Sequence, residues 1–377
     1  MELSKLVFGF DIDVLTGFVR ALRTHGYSTL QYIPLRQSVG ALWREPGNVL
    51  NLFRRRTHRA FATSGVAGLY RVGLRLANQK LALCLDACFF TQWVEREALE
   101  ACFGPALIER GIENGVLRRD GTRLQFTVSF VPFDDDILIR DPFYAYPPAT
   151  EAFEGRIWMG SDSMMFATFL RHFLQGMRFD AALEIGSGSG IQILVASRFA
   201  RTAIALDYNE RAVQFTKLNA QLNGVEHLRA FSSNLYENLD GTFDLILANP
   251  WYCDLDTGGL EEIPGIMDGL NRHLQKDGVC VMLVNSYVKR GRDMVADYLQ
   301  DVAVRRRYDL ELRVDRYGIE TDRLAAWKQH GIEYNIMYYV ILRRAGTGNV
   351  RRYDCPPLRR VRNFTRIRAI RALHRVG

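Results

Sequence analysis

An apolar strand that runs directly into a glycine-rich loop is the feature that most constrains the fold of this chain. The strand reads Ala181-Ala-Leu-Glu-Ile, the loop reads Gly186-Ser-Gly-Ser-Gly190, and a helical pattern continues through Phe199. Glycines allow the backbone to turn sharply and to approach a ligand where a side chain would collide. The spacing is G-x-G-x-G, not the G-x-G-x-x-G of a dinucleotide fingerprint. With Glu184 just before it, the loop suits a nucleoside that lacks a pyrophosphate.

Strands and helices alternate on both sides of this loop. Such alternation predicts an α/β fold with a Rossmann-like, doubly wound and mostly parallel sheet. We expect seven strands in this sheet. They are predicted at 181–185, 202–207, 227–232, 243–249, 278–285, 311–314 and 334–342, with helices at 210–222 and 266–274 and a helical insert near 322–329.

The N-terminal part of the chain has a different pattern, mainly helical and followed by a hairpin. The pair Asp120-Gly121 lies between polar and alternating segments, which is a strong hairpin-turn signal. Helices followed by such a wing predict a winged-helix-like accessory domain, and this wing is not especially basic. The predicted helices are 12–24, 62–76, 96–103 and 106–115, and the predicted strands are 124–130 and 136–140.

These patterns divide the chain into four parts. We expect an N-terminal helical and basic extension over 1–60 and the winged-helix-like accessory domain over 61–150. The α/β domain covers 156–345, and an Arg-rich C-terminal tail covers 346–377.

The positive charge of the chain is concentrated in its C-terminal tail. The formal net charge is +7, yet residues 345–377 alone hold nine Arg and one Asp. The other 344 residues therefore carry 40 basic and 41 acidic groups, a balanced body. The tail offers phosphate contacts to an RNA or protein partner through Arg359, Arg360, Arg362 and Arg366. A solvated or docked basic helix that binds no nucleic acid is the equal alternative.

Composition predicts a cytoplasmic protein. Acidic residues at Glu2, Asp11 and Asp13 interrupt the apolar run that a signal peptide needs. No uncharged apolar stretch is long enough for a membrane span. The six Cys lack the spacing of a zinc site, so we expect reduced thiols and no bound metal.

Two further motifs follow predicted strands. Asp207 closes the second strand, 21 residues after Gly186, where a carboxylate can accept both ribose hydroxyls of a nucleoside. Asn249-Pro-Trp-Tyr252 closes the fourth strand. Ligands of an open parallel sheet lie outside the carboxyl ends of its strands, so these motifs and the glycine loop point to one place. The Asn249 carboxamide and the Pro250 carbonyl can hold an amino group by accepting its hydrogens, and Tyr252 can stack on a planar substrate.

The motifs together resemble a known family. The segments Ala182-Leu-Glu-Ile-Gly-Ser-Gly-Ser-Gly190, Ala205-Leu-Asp-Tyr-Asn-Glu-Arg-Ala-Val213 and Phe243-Asp-Leu-Ile-Leu-Ala-Asn-Pro-Trp-Tyr252 look like class I S-adenosylmethionine-dependent methyltransferases. They resemble in particular the "methyltransferase small" group with its N-P-P-[YF] motif. That group includes N-methyltransferases of ribosomal RNA guanine, of tRNA adenine and of release-factor glutamine. Residues 158–167 are similar to the segment that leads a helix past the cofactor in this group.

The resemblance implies S-adenosyl-L-methionine as cofactor and assigns roles to individual residues. The glycine loop would hold the methionine part, the acid after the second strand the ribose, and the N-P-x-Y segment the nitrogen to be methylated. The implied cofactor-binding residues are Glu184, Gly186, Ser187, Gly188, Gly190, Asp207, Tyr208, Asn234, Leu235, Asn249, Asp162 and Ser163. The implied catalytic residues are Asn249, Pro250, Trp251 and Tyr252.

Two departures from the family pattern leave the methyl acceptor open. Trp251 stands where the family has a second proline, and Asn234 stands where an Asp often contacts the adenine amino group. N-methylation of an amide or amino nitrogen in RNA or protein is the first reading. A small-molecule methyltransferase, or an atypical enzyme that uses the cofactor in alkyl transfer or cyclisation, is the second. A non-catalytic cofactor-binding protein is the third, and a homodimer is compatible with each.

Overall fold

The computed structural model describes most of the chain in two compact units. The described residues are 9–32, 60–61, 74–76, 78–142, 156–157, 159–237, 239–250, 255–318, 324–344 and 346–354. The first unit consists of Met1–Thr168, Gly188–Leu194 and Asn209–Ala230. The second unit consists of Phe169–Ser187, Val195–Tyr208 and Phe231–Gly377.

The N-terminal elements of the first unit are short helices and antiparallel strands. The helices are α1 (Ile12–Thr24), a 3-10 turn (Tyr27–Thr29), α2 (Gln79–Cys84) with a π-helical continuation (Leu85–Phe89), α3 (Arg96–Phe103) and α4 (Pro105–Glu113). The strands are β1 (Gln31–Tyr32), β2 (Ala60–Phe61), β3 (Val94–Glu95), β4 (Leu117–Asp120), β5 (Arg123–Phe126), β6 (Ser129–Phe133) and β7 (Asp136–Arg140).

Helix α1 has the bounds predicted from sequence, and its start and its buried face explain why. The Asp11 side chain caps the helix by accepting a hydrogen bond from the Asp13 N–H. Its apolar residues recur at helical spacing, so one face is buried. From that face Phe18 meets Phe103 and Phe126 edge to face, with ring centroids 5.3 and 5.1 Å apart. These rings form the core of the N-terminal part of the first unit.

The predicted hairpin is confirmed with small corrections. Strands β4 and β5 pair antiparallel with Asp120 opposite Arg123, so the two loop residues are Gly121 and Thr122. The predicted strand 124–130 is wrong as one element, because β5 ends at Phe126 and β6 starts at Ser129. Most of the predicted helix 62–76 lies outside the described residues. The winged-helix-like assignment of 61–150 stays a prediction.

The edge of β7 pairs with side chains of a helix instead of with another strand. In the helix α7 (Glu210–Leu222), Asn219 Oδ1 accepts from the Ile139 N–H at 2.6 Å, and its Nδ2 donates to the Ile139 carbonyl at 2.9 Å. The same Nδ2 donates to the Ser189 carbonyl at 2.8 Å. Four residues later, Asn223 makes the same two bonds to Ile137 at 3.1 Å each. Two carboxamides one helical turn apart thus satisfy the edge of β7.

An ion pair reinforces this attachment. The guanidinium of Arg211, at the start of α7, binds the buried carboxylate of Asp141 directly after β7. The Asp141 carboxylate also accepts from the Ile157 N–H at 2.6 Å. Because both charges are buried, removing one partner would leave the other uncompensated.

The remaining elements belong mainly to the second unit. The helices are α5 (Ser161–Phe173), α6 (Ile191–Ser197), α8 (Ile263–His273), α9 (Met294–Arg306) and α10 (Leu324–Gln329). The strands are β8 (Phe179–Ile185), β9 (Ala200–Asp207), β10 (Leu228–Ser232), β11 (Phe243–Ala248), β12 (Leu274–Lys289), β13 (Arg292–Asp293), β14 (Asp309–Gly318), β15 (Ile332–Arg343) and β16 (Val350–Tyr353). Within the described part of the chain, no helix is long and apolar enough to cross a membrane.

One large sheet organises this part of the molecule. Its strand order is β10-β9-β8-β11-β12-β15-β14-β16, with β13 paired to β12. Strand β8 is parallel to both β9 and β11, and β11 is parallel to β12, as the alternating pattern predicts. Strand β15 runs antiparallel between β12 and β14. The seven expected strands are present as β8, β9, β10, β11, β12, β14 and β15, and the short strands β13 and β16 bring the sheet to nine.

Strand β16 lies inside the segment predicted to be the Arg-rich tail. It pairs in parallel with β14, and Leu310 lies opposite Val350. Asp309 anchors this connection by accepting bonds from the Thr347 hydroxyl and the Asn349 N–H. The hydrogen bond from the Thr347 hydroxyl and, to a smaller extent, that from the Asn349 N–H lower the pKa of Asp309. The tail therefore begins in the sheet, and Arg359, Arg360, Arg362 and Arg366 lie outside the described residues.

We expect Asn219→Ala to destabilise the protein by about 2–4 kcal/mol, because it leaves both Ile139 backbone groups without partners in a buried place. Asn223→Ala should cost less, about 1 kcal/mol, because that carboxamide is only partly buried. Urea denaturation followed by circular dichroism measures both. Gln221→Ala, an exposed change in the same helix, is the control and should leave the unfolding midpoint unchanged. An Asn219→Ala midpoint equal to that control would contradict the assignment.

Candidate active site

The carboxyl ends of three neighbouring strands lie at the same level of the sheet. Ile185 at the end of β8 is paired with Leu206 of β9 on one side and with Ala248 of β11 on the other. The residues that follow these three positions are Gly186, Asp207 and Asn249. The register therefore brings the glycine loop, the acid and the N-P-x-Y segment to one edge, as the sequence predicts.

The start of the glycine loop is held by a single carbonyl of the neighbouring strand. The Leu206 carbonyl accepts from the Gly186 N–H at 2.8 Å and from the Ser187 N–H at 3.0 Å. Gly186 has φ +70°, a conformation that L side chains rarely adopt, and a Cβ placed there would meet no atom of the described residues within 4 Å. The backbone of the loop is thus left open on that side. Glu184, two residues earlier in β8, is fully buried.

The rest of the loop belongs to the first unit. Gly188 has φ +54° and also faces open space. Gly190 has φ +78°, and a Cβ there would lie 2.8 Å from Thr216 Cγ2 of α7. Gly190 is therefore required by packing, whereas Gly186 and Gly188 leave room beside the backbone. The same unit holds Asp162 and Ser163 in the first turn of α5.

Asp207 and the segment 233–235 are joined at the end of β9. The Asp207 carbonyl accepts from the Ser233 N–H at 2.9 Å. Asn234 is exposed, and its Nδ2 donates to Glu237 Oε1 at 3.0 Å, which keeps its Oδ1 directed to other donors. Leu235 adopts φ +51° and packs against Gly265, where a Cβ would lie 2.4 Å from Leu235 Cδ1. A side chain at 265 would therefore displace Leu235.

Tyr208 presents a neutral aromatic ring beside Asp207. Its side chain is 75% exposed, although it follows a buried strand. Partial desolvation, with the carboxylates of Asp207, Glu262 and Glu261, raises the pKa of its phenol. The ring therefore carries no charge at neutral pH and can cover a planar, apolar ligand face. Glu261, Glu262 and Gly265 were not among the predicted residues, although Gly265 follows Pro264 at the start of α8, which marks a helix entry.

Asn249 directly follows β11 and carries an unsatisfied polar atom. Among the described residues, no donor reaches its buried Oδ1. Pro250 is buried beside it, and Trp251 and Tyr252 lie outside the described residues. A buried carbonyl oxygen without a partner is unfavourable unless something else supplies a donor. The position suits a ligand that brings an N–H group.

The chain beyond this segment returns to β12. Leu255 packs against Tyr287 and Trp327, and the Gly258 carbonyl accepts from the Tyr287 N–H at 3.2 Å. Lys289 Nζ donates to the Asp256 carbonyl at 2.7 Å. The stretch 255–258 is therefore fixed over the carboxyl end of β12.

The second-unit residues fit a nucleoside that carries an amino-acid chain. The open backbone at Gly186 accommodates a close ligand approach, Asp207 supplies a carboxylate for hydroxyls, and Tyr208 supplies a neutral ring. These features match the methionine, ribose and adenine parts of S-adenosylmethionine. The individual assignments stay predictions.

Comparison with known proteins agrees with this geometry. The family model "Methyltransferase small domain" matches residues 163–308. A putative protein N5-glutamine methyltransferase of Methanocaldococcus jannaschii is 46% identical over 121 residues, which cover 28% of this chain and 61% of that protein. Ribosomal RNA small subunit methyltransferase C of Citrobacter koseri is 29% identical over 108 residues, covering 28% of this chain and 31% of that protein. The chain thus spans less than two thirds of these relatives.

Solved structures resemble part of this chain at low sequence identity. The ribosomal protein L11 methylase of Lactobacillus delbrueckii subsp. bulgaricus is 19% identical with a TM-score of 0.36, covering 55% of this chain and 94% of that one. The glycine loop and the paired strands β8, β9 and β11 lie within the residues that the family model matches. Residues 163–308 therefore form a methyltransferase small domain, a member of the class I S-adenosylmethionine-dependent methyltransferases.

Proposed function

We propose that this chain is an S-adenosylmethionine-dependent N-methyltransferase whose acceptor is an amide or amino nitrogen of RNA or protein. The observation that carries the proposal is the buried and unsatisfied Oδ1 of Asn249 at the end of β11. A carboxamide oxygen accepts N–H groups and is too weak a base to deprotonate them. The site is thus suited to orient a nitrogen.

The cofactor residues would act by position. The backbone at Gly186 and Ser187 would border the amino-acid part, Asp207 would accept hydrogen bonds from the ribose hydroxyls, and Tyr208 would cover the adenine. Asn234 offers Oδ1 to the adenine amino group, because its Nδ2 is engaged with Glu237. When bound, the cofactor supplies an activated methyl group on a sulfonium. The protein contributes orientation and exclusion of water.

Asn249 would prepare the acceptor nitrogen. Its Oδ1, together with the Pro250 carbonyl, accepts the hydrogens of the acceptor group. An amide lone pair is delocalised, and these hydrogen bonds shift electron density back to nitrogen. The nitrogen is thereby held with its lone pair toward the methyl donor. Trp251 and Tyr252 are proposed to form the wall of the acceptor site.

The proposed role of Asn249 can be tested by mutation. Asn249→Ala should lower methyl transfer at least 100-fold, because the acceptor nitrogen loses its positioning partner. Affinity for S-adenosylhomocysteine, measured by calorimetry, should stay within about threefold of the wild type, since Asn249 chiefly serves the acceptor. Transfer is followed as labelled methyl incorporated into the RNA and protein pools of a cell extract, separated after the reaction.

Two matched variants interpret this result. Asp207→Ala should lose S-adenosylhomocysteine affinity and transfer together, whereas the exposed Asp240→Ala should change neither. Full transfer by Asn249→Ala would refute the assigned role. Label recovered only in small molecules would refute a macromolecular acceptor.

The glycine loop gives a further prediction. Gly186→Ala places a Cβ in the open cradle and should weaken S-adenosylhomocysteine binding at least tenfold in calorimetry. Gly176→Ala is the matched control, because Gly176 also has positive φ (+83°) and open space at its Cβ. Both changes carry similar backbone strain, about 1 kcal/mol. Equal binding losses in the two variants would mean that strain, and not the cradle, determines the effect.

The Arg-rich segment is the part of the chain that we propose contacts RNA. Residues 355–377 contain seven Arg and no acidic residue. Deleting 355–377 keeps β16 and should weaken binding of a fluorescent single-stranded RNA in anisotropy titrations. The slope of log affinity against log salt should also fall, by roughly 0.7 for each lost phosphate contact. An unchanged slope would show that this segment does not bind RNA.

A further inference from the structure

Two buried carboxamides at the carboxyl end of the sheet share one hydrogen bond, and one amino group and one carbonyl oxygen of the pair have no partner among the described residues. Asn285 of β12 is 1% exposed and Asn335 of β15 is 6% exposed. Asn335 Nδ2 donates to Asn285 Oδ1 at 3.0 Å. Within the described part of the chain, no group bonds to Asn285 Nδ2 or to Asn335 Oδ1. One donor and one acceptor therefore stay unsatisfied.

This result does not depend on how the two amides are oriented. Rotating both by 180° exchanges the roles, so that Asn285 donates to Asn335. Asn285 then keeps a free oxygen and Asn335 a free amino group. In either orientation the pair offers one N–H donor and one C=O acceptor.

Such a pair is unfavourable for stability by itself. Each buried and unsatisfied polar group costs about 1–3 kcal/mol. An apolar pair of similar shape would avoid that cost, because removing both partners leaves nothing unsatisfied. A binding role accounts for keeping both carboxamides.

The pair lies beside Asn249. Ala248 is paired with Met282 on the neighbouring strand β12, so Asn285 is about two residues, or about 7 Å, further along than Asn249. The stretch that follows the N-P-x-Y segment reaches this point, because a Cβ on Gly259 would lie 2.3 Å from the Asn285 carbonyl oxygen. The amide pair and Asn249 therefore belong to one edge of the second unit.

An aromatic cluster closes the adjoining side. Tyr287 lies opposite Asn335 in the β12–β15 pair and meets Trp327 edge to face, with ring centroids 5.6 Å apart. Trp327 is fully buried, and its Nε1–H also has no partner among the described residues. Three unsatisfied polar groups therefore lie on or beside one short stretch of the sheet.

The chemistry of the pair selects its ligand. A carboxylate offers no donor to the free Asn oxygen. A trans peptide group carries its N–H and C=O on opposite sides and cannot reach both Asn side chains at once. A primary carboxamide carries an N–H and the C=O on one edge and therefore matches the pair. The deep burial of Asn285 and Asn335 favours this small group over a purine or pyrimidine ring.

We propose that Asn285 and Asn335 form a carboxamide-binding subsite that helps determine acceptor specificity. The free N–H group of the pair would donate to the C=O of the carboxamide that is methylated. The free Asn oxygen, in place of the Pro250 carbonyl, would accept the N–H hydrogen of that carboxamide that Asn249 does not accept. This inference rests on the proposed N-methyltransferase function, because it assigns the acceptor class at the same edge. The two residues are specificity-determining and take no part in the transfer itself.

The test replaces both carboxamides by apolar residues of similar size. Asn285→Leu/Asn335→Leu should melt at the same or a higher temperature than the wild type and should bind S-adenosylhomocysteine within about twofold. Acetamide, titrated into protein saturated with S-adenosylhomocysteine, should raise the melting temperature of the wild type relative to the variant. Methyl transfer to the protein pool of a cell extract should fall at least tenfold. Gln221→Leu, at an exposed carboxamide of α7, should behave as the wild type.

A second variant covers the case in which the double variant does not fold. A Cβ on Gly318 would lie 2.3 Å from Asn335 Oδ1, so Gly318→Ala displaces that oxygen and keeps both carboxamides. It should lose the acetamide response and retain S-adenosylhomocysteine binding. An acetamide response that is the same in all variants would overturn the subsite and leave a structural pair bonded to water.

Other outcomes separate the two proposals. A pair-dependent response to guanosine or cytidine in place of acetamide would overturn the carboxamide assignment. Methyl transfer that is intact in the double variant would keep the proposed function and refute the subsite. A pair-dependent acetamide response without methyl transfer by the wild type would refute the proposed function and support the subsite.

Discussion

The parallel pairing of β8 with β9 and β11 is the constraint on which the candidate site depends. It sets Ile185, Leu206 and Ala248 side by side, so that the three strands end together. The Leu206 carbonyl then binds both the Gly186 and Ser187 N–H groups, which fixes the start of the loop against the neighbouring strand. A shift of one residue in either pairing would separate Asp207 or Asn249 from the loop and turn every side chain of the strand to the other face.

Much of this arrangement was predictable, because local patterns and chain topology agree here. The glycine loop, Asp207 and Asn249 each follow a buried strand, and parallel strands end at a common edge. Helices α1 and α3 also have their predicted bounds, since each presents a clear apolar stripe. Helix α9 was missed, although Asp293 caps it and its apolar residues recur at helical spacing.

Other features could not be predicted, because tertiary contacts produce them. Strand β16 is mostly polar and exposed, so it is held by its pairing with β14 and by Asp309 and not by an apolar pattern of its own. The proximity of Glu261 and Glu262 to Tyr208 depends on where α8 begins. Asn285 and Asn335 are fifty residues apart in sequence and meet only because β12 and β15 are neighbours. No local pattern marks such a pair.

The buried asparagines of this molecule fall into two groups, one with fully bonded carboxamides and one with unsatisfied polar atoms. Asn219 uses both ends of its carboxamide, with three bonds that satisfy buried backbone groups of β7 and the glycine loop. Asn249, Asn285 and Asn335 are also buried at their polar atoms, yet each leaves one of them without a partner among the described residues. Since the same side chain can be fully satisfied in this fold, the unsatisfied groups are not a general property of its packing. The unsatisfied atoms of these three asparagines lie at the carboxyl end of the sheet, where a ligand with amide hydrogens and a carbonyl oxygen would satisfy them.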